Sequence, residues 1–156
     1  MRDQEIFLNR RNTMPRISEE IILNCSREKA FNEISKADFM KEIDPAALNT
    51  EILFRNERLI HTISRGTPSG DVELEMVIIP ENFTIVLMRR PPLTPFVYQL
   101  SIKTFSEHKD GTLLKHINEF ELADNFKPGE EMVLSVIKQN DILNLQRTKD
   151  YFNNSK

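Results

Sequence analysis

The sequence predicts an α+β fold: a curved antiparallel sheet of six to seven strands closes around a long C-terminal helix and leaves an internal cavity. Three observations predict it. Six strand-like runs follow one another between residues 50 and 120, joined by short turns that only antiparallel pairing accommodates. The last two, within PFVYQLSIKTFSEHKDGTLLKHINEF at 95–120, are long and flank a Lys109-Asp110-Gly111-Thr112 turn. A helical segment then runs from residue 130 to 152.

Each element has a local cause. Residues 1–13 (MRDQEIFLNRRNT) are polar and mixed in charge and read as a flexible arm, leaving 14–156 as one domain. After Arg16, ISEEIILNC is rich in β-branched residues and reads as the first strand. Ser26 is placed to cap a helix over 27–34, whose apolar face is Ala30, Phe31 and Ile34. A second short helix, 37–43, must stop ahead of Pro45, because the residue before a proline avoids the helical region.

Strands at 50–55 and 58–65 flank an Asn56-Glu57 turn, 71–79 follows a loop at 66–70, and 83–89 follows the turn at 80–82. Pro91 and Pro92 donate no ladder hydrogen bond and interrupt the sheet. Pro128-Gly129 opens the last helix, with Glu130 and Glu131 at its positive end and Arg147 and Lys149 towards its negative end. Val133, Val136, Ile137 and Leu143 are read as its apolar face, and the concave side of the sheet is the available partner. This is a helix-grip architecture.

Size and composition bound the function. The 156 residues suffice to bury roughly 70% of the unfolded chain's surface. A net charge of −3 provides no basic footprint, so no nucleic-acid partner is expected. No run approaches the ~20 apolar residues of a membrane span. The lone Cys25 excludes an internal disulfide and fits a reducing compartment, so the expected location is cytoplasmic.

No histidine stands near Cys25 in sequence, so it reads as a structural or a surface thiol. Gly-rich phosphate loops and the CxxC, HExxH and GxSxG motifs are absent from the sequence. His61, His108 and His116 have no metal-ligand spacing, and no metal or cofactor is expected. His108, beside the turn, is expected in solvent.

Residues two apart on a strand share a face. His61, Ile63 and Arg65 therefore lie together, as do Leu114, His116, Asn118 and Phe120. If the second set is concave, Gln99, Ser101 and Lys103 point inward on the neighbouring strand. A lysine there costs free energy unless it is paired or near the mouth. Asn140 interrupts the apolar face of the last helix and is expected at the cavity. Phe96 and Tyr98 read as hairpin packing, and Arg89-Arg90 as a basic pair that can attract an acidic partner.

The hairpin resembles the tetracenomycin-type aromatase/cyclases of aromatic polyketide biosynthesis, within the START-like (SRPBCC) polyketide cyclase superfamily. That family carries PF-x-Y-M-N-x-x-W-x-Y, a Gly-Thr turn, then M-R-W-V-Q-[DE]-F. Here the run is Pro95-Phe96-Val97-Tyr98, then Gly111-Thr112, then Leu114-Lys115-His116-Ile117-Asn118-Glu119-Phe120, without a gap. The resemblance extends over 16–152. It implies a cofactor-free enzyme that takes a poly-β-ketone from an acyl carrier protein and directs regiospecific aldol closure and dehydration.

The family's arginine motif T-R-P-x-x-x-G is matched by Ser64-Arg65-Gly66-Thr67-Pro68-Ser69-Gly70, so Arg65 inherits the task of positioning or polarising carbonyls. A guanidinium forks well onto carbonyl or enolate oxygens. His116, with an ordinary pKa near neutrality, is the candidate for proton transfer, and with Arg65 it makes up the expected catalytic pair. His61, Gln99, Ser101, Lys103, Asn118, Asn140 and Met40 are the expected substrate-binding residues.

Departures mark the chain as its own. Family tryptophans fall on Lys103, His116 and Met40, the glutamine on Asn118, and the methionine-asparagine pair on Gln99-Leu100. A family tyrosine falls on Ala47 and a second arginine near Ile79. Without tryptophan the aromatic walls are gone. The alternative is therefore a non-catalytic START-like binding protein for a lipid or other hydrophobic small molecule. Either protein is expected as a monomer or homodimer.

Overall fold

The architecture follows from where the chain can cap, turn and bury. The structure, a computed structural model, describes residues 14–67, 70–91 and 94–155; the expected arm at 1–13 and Pro92 lie outside the described residues. In order come β1 (Arg16–Leu23), α1 (Arg27–Ile34), α2 (Phe39–Ile43), a 3-10 turn (Pro45–Asn49), β2 (Thr50–Arg55), β3 (Leu59–Thr67) and β4 (Gly70–Ile79). A second 3-10 turn, β5 (Thr84–Arg89), β6 (Phe96–His108), β7 (Gly111–Leu122), a third 3-10 turn (Asp124–Gly129) and α3 (Glu130–Asn154) complete it.

The seven strands of the described residues form one antiparallel sheet in the order β1-β7-β6-β5-β4-β3-β2. This is the curved sheet and terminal helix that the sequence predicts. Ser26 caps α1 by accepting the Lys29 N–H at 3.3 Å. The Asn56 side chain accepts the N–H groups of Arg58 and Leu59, both at 2.8 Å, which closes the β2–β3 turn.

Three local expectations change. β1 ends at Leu23, so Cys25 lies in the following loop rather than in the strand. That loop is fastened to β7 by the Thr112 hydroxyl, which donates to the Cys25 carbonyl at 2.8 Å. Of the predicted 66–70 loop, Gly66 and Thr67 belong to β3 and Gly70 to β4, with Thr67 paired to Gly70 after a bulge, while Pro68 and Ser69 lie outside the described residues. Finally, α2 starts at Phe39, two residues later than expected.

Gly111 opens β7 at φ 136°, and a Cβ there would lie 2.1 Å from the Leu23 carbonyl oxygen. Only glycine combines that backbone with such close approach.

The apolar face of α3 is also corrected. Its buried residues are Asp141, Leu145, Thr148 and Phe152, continuing a stripe from Val133 and Ile137 at spacings of four and three. Val136 lies about 100° around the helix from Ile137, and Leu143 about 160° from both Asp141 and Leu145; they are 51% and 47% exposed.

The stripe meets two apolar clusters. One gathers Phe31, Phe39, Phe105, Leu114, Leu145 and Phe152, with Phe31 edge-on to Phe83 and Phe105 at 5.4 and 5.5 Å. The other gathers Ile17, Phe120 and Leu122 with Val133 and Ile137. Each fully buried Phe or Leu contributes on the order of 2 kcal/mol. The polar residues His116, Asn118 and Asp141 lie between the two clusters, along both β7 and α3.

Among the described residues, no helix is long and apolar enough to cross a membrane.

Candidate functional site

β6 and β7 build the floor of the site. Their register sets Lys103 opposite His116, Ser101 opposite Asn118, and Gln99 opposite Phe120. All of these side chains except Phe120 line one cavity beneath α3, so the expected inward set is brought together. Asn118 donates its amide N–H groups to both carboxylate oxygens of Asp141, at 2.8 and 2.6 Å. The Ser101 hydroxyl donates in turn to the Asn118 carbonyl oxygen. A buried relay thus runs from β6 through β7 to the helix.

Burial decides the charges. His116 is 7% exposed; its Nδ1 lies 3.9 Å from Asp141 Oδ1, beyond hydrogen-bond reach, and its Nε2 has no partner. Desolvation, reinforced by the Lys103 charge, lowers its pKa to about 3. The expectation of a histidine titrating near neutrality is therefore corrected: His116 is a neutral imidazole at physiological pH.

Burial likewise pushes Lys103 down to about 8, against the pull of Asp141. Desolvation raises the Asp141 carboxyl, opposed by the Asn118 donors and the Lys103 charge, while Glu19 adds to the rise.

Two adjoining cavities open from this point. The one beneath α3, about 260 Å³, also reaches Asn140 and Asn144. The larger, about 340 Å³, lies under β3, β4 and β5 and is mainly apolar, with the Thr50, Thr62 and Ser64 hydroxyls in its wall. Met40, Leu74, Leu87 and Lys103 line both and form the junction. The larger volume lies within the usual range for a small-molecule site.

Arg65 and His61 are not in either wall. On β3 the residues facing the cavity are Ile60, Thr62 and Ser64, opposite Met76, Leu74 and Val72 of β4. The alternate set points to the convex face. There His61 Nε2 lies 2.8 Å from Glu73 Oε2, and Arg65, half-exposed, bonds Glu51 at 3.2 Å and Asp71 at 3.3 Å. The expectation that both belong to the cavity is corrected by the pleat of β3.

Asn140 lines the cavity but is exposed; the buried helix residue there is Asp141. Sequence reading missed Asp141, although its spacing from Ile137, Leu145 and Thr148 marks it as part of the buried stripe. Met40 and Gln99 sit in cavity walls as expected, and Ala47 lines the larger cavity. His108 stays in the β6–β7 turn, where it accepts the Asp110 N–H at 3.2 Å. Arg90 lies 3.5 Å from Glu75. Among the described residues, no three His, Cys, Asp or Glu side chains gather as metal donors.

No protein-family model and no curated protein matches the sequence. Solved structures do. The chain is similar to the di-domain aromatase/cyclase StfQ of the steffimycin biosynthetic pathway, with TM-score 0.78 and 15% identity over 96% of this chain and 54% of that one. It thus spans about half the length of that protein. It is similar to the ZhuI aromatase/cyclase from Streptomyces sp. R1128, with TM-score 0.77 and 12% identity over 90% and 94% of the two chains.

A START superfamily protein from Mycobacterium smegmatis matches with TM-score 0.71 and 15% identity over 90% of this chain and 99% of that one. With its sheet, terminal helix and internal cavity, this chain has the START-like helix-grip fold.

Proposed function

We infer that the protein is a polyketide aromatase/cyclase, working without a cofactor on a poly-β-ketone carried by an acyl carrier protein. The observation that carries this reading is an apolar cavity of ligand size whose inner end is lined by Lys103, with Asp141 and Asn118 beside it. The likeness to two aromatase/cyclase structures agrees with it.

A poly-β-ketone needs three things for ring closure: a fold imposed by shape, acceptance of an acidic proton between two carbonyls, and stabilisation of the resulting enolate. Apolar walls from Met40, Leu74 and Leu87 supply shape. Asp141 is the basic group, positioned by Asn118, and can return the proton when the aldol hydroxyl leaves as water. The protonated Lys103 side chain and the Ser101 hydroxyl are donors for developing negative charge, a contribution worth on the order of 3 kcal/mol per donor in water-excluded sites. Arg65 has no part in this chemistry, and His116 acts as a neutral neighbour. A cytoplasmic location suits a carrier-bound substrate.

The experiment is product profiling of a minimal aromatic polyketide synthase with and without the protein. A redirected ring pattern supports the reading. An unchanged product pattern makes the cavity a binding site without turnover.

A further inference from the structure

Lys103 has a capacity that hydrogen bonding does not use. It sits mid-strand on β6 between Ile85 of β5 and His116 of β7, and it lines both cavities at their junction. Its Nζ makes no hydrogen bond or ion pair with any described residue. Asp141, the carboxylate nearest in effect, is occupied by Asn118.

The other groups around it are settled. His116 is neutral, Glu19 of β1 pairs with Lys138 at 3.7 Å, and α2 and β4 present Met40 and Leu74. Lys36 and Asp44, in the wall of the larger cavity, are the remaining charged residues there. A lysine held this way spends much of its time as a free amine near pH 8, facing space large enough for a ketone.

We propose that the Lys103 side-chain nitrogen forms an imine with a ketone carbonyl of the bound ligand. The site thus takes carbonyl compounds covalently, and β-diketone units above all. The inference rests on the reading of the cavity as a polyketone site.

The chemistry balances without any oxidant or reductant. The amine lone pair attacks the carbonyl carbon, the carbinolamine forms, and its oxygen departs as water with the two hydrogens released by nitrogen. Protonation gives the iminium, and loss of an α-proton to Asp141 leaves an enamine whose carbon attacks a second carbonyl. Hydrolysis takes back one water and frees the amine. Shielding from bulk solvent favours the condensation, and the Asn118–Asp141 pair stands beside the carbon that gives up its proton.

Pentane-2,4-dione is the probe, because it carries the β-diketone unit and condenses with an amine to a stable enaminone. The full chain is treated across pH 7 to 11 and mapped by peptide mass spectrometry, alongside Lys103→Met and Lys103→Arg. At pH 8 the adduct on Lys103 is expected to exceed that on any other lysine by about ten-fold or more, since ordinary lysines remain protonated there.

Labelling of surface lysines with Lys103 bare, in protein whose thermal melting shows it folded, overturns the proposal. So does a Lys103 labelling midpoint at the ordinary lysine value. The product profile of the polyketide synthase separates the two readings. Redirected products with Lys103 unlabelled sink the imine alone, while selective labelling with unchanged products sinks the cyclase alone.

Discussion

Lys103 and His116 face each other across the β6–β7 ladder, both turned to the concave side, and Asp141 of α3 lies over them. The three titratable groups share one poorly hydrated space, so each sets the charge of the others. A cation on Lys103 lowers His116, and Asp141 holds Lys103 above the value that burial alone would give.

Burial of Lys103 costs the protein stability. Its folded-state value, about 8, lies below the ordinary 10.5. Below pH 8 both folded and unfolded chains carry the charge, so the folded state bears the whole desolvation cost. Through pH 8 to 10.5 the folded chain loses its proton first and the cost fades. Lys103→Met is therefore expected to stabilise the protein at pH 7 by on the order of 2 kcal/mol, discounted for the cavity's partial access to solvent. Denaturant titrations at pH 7 and pH 10 check it: the gain must shrink at the higher pH.

The acid side has the opposite origin. His116 falls from an ordinary 6.5 to about 3, so on acidification below 6.5 the unfolded chain takes a proton that the folded chain refuses. Stability drops there, by at most about 1.4 kcal/mol per pH unit. Asp141 partly offsets this. Its raised folded value stabilises the native state once pH falls below that value. His116→Gln is expected to flatten the loss of stability between pH 6.5 and pH 4, measured by the same titration.

Arg65→Ala removes an exposed arginine paired with Glu51 and Asp71 on the convex face. Such exposed pairs are screened by solvent and contribute little to stability. Melting temperature and cyclisation products should both stay close to wild type, read by thermal denaturation and product chromatography.

Gly111→Ala should be severe. The new methyl would stand 2.1 Å from the Leu23 carbonyl oxygen at a backbone angle of 136° that L-residues rarely adopt. A loss of about 3 kcal/mol or more is expected from strain and displacement of β1 together. Thermal melting reads it directly.

Narrowing the junction separates substrate length from chemistry. Leu74→Phe and Leu87→Phe intrude where the two cavities meet without touching the Asn118–Asp141 pair. Labelling of Lys103 by small pentane-2,4-dione should persist, while ring closure of a long carrier-bound chain falls by about ten-fold or more, read by chromatography of the products.

Much of this molecule was legible from residue order. The Ser26 cap, the Asn56 turn and the long hairpin are local chemistry, and local chemistry is what a sequence displays most openly. Alternation along β6 and β7 correctly grouped Gln99, Ser101, Lys103, His116 and Asn118.

The failures have physical causes. On β3 both faces bury an isoleucine, Ile60 at 3% and Ile63 at 8%, so hydrophobic alternation there could not tell concave from convex. On α3 the exposed side carries Met132, Val136, Ile142 and Leu143, which blurs the apolar stripe and hides Asp141 within it. The titration of His116 was out of reach altogether, because it depends on desolvation and on a lysine thirteen positions earlier in sequence.

The most direct test sets Lys103→Arg beside Arg65→Ala in the polyketide synthase assay with wild-type protein. A mechanism centred on Lys103 predicts redirected products from wild type and from Arg65→Ala, and none from Lys103→Arg, which keeps the positive charge but cannot form an imine. Loss of redirection in Arg65→Ala with full redirection by Lys103→Arg would contradict it, and would move the chemistry to the convex face of the sheet.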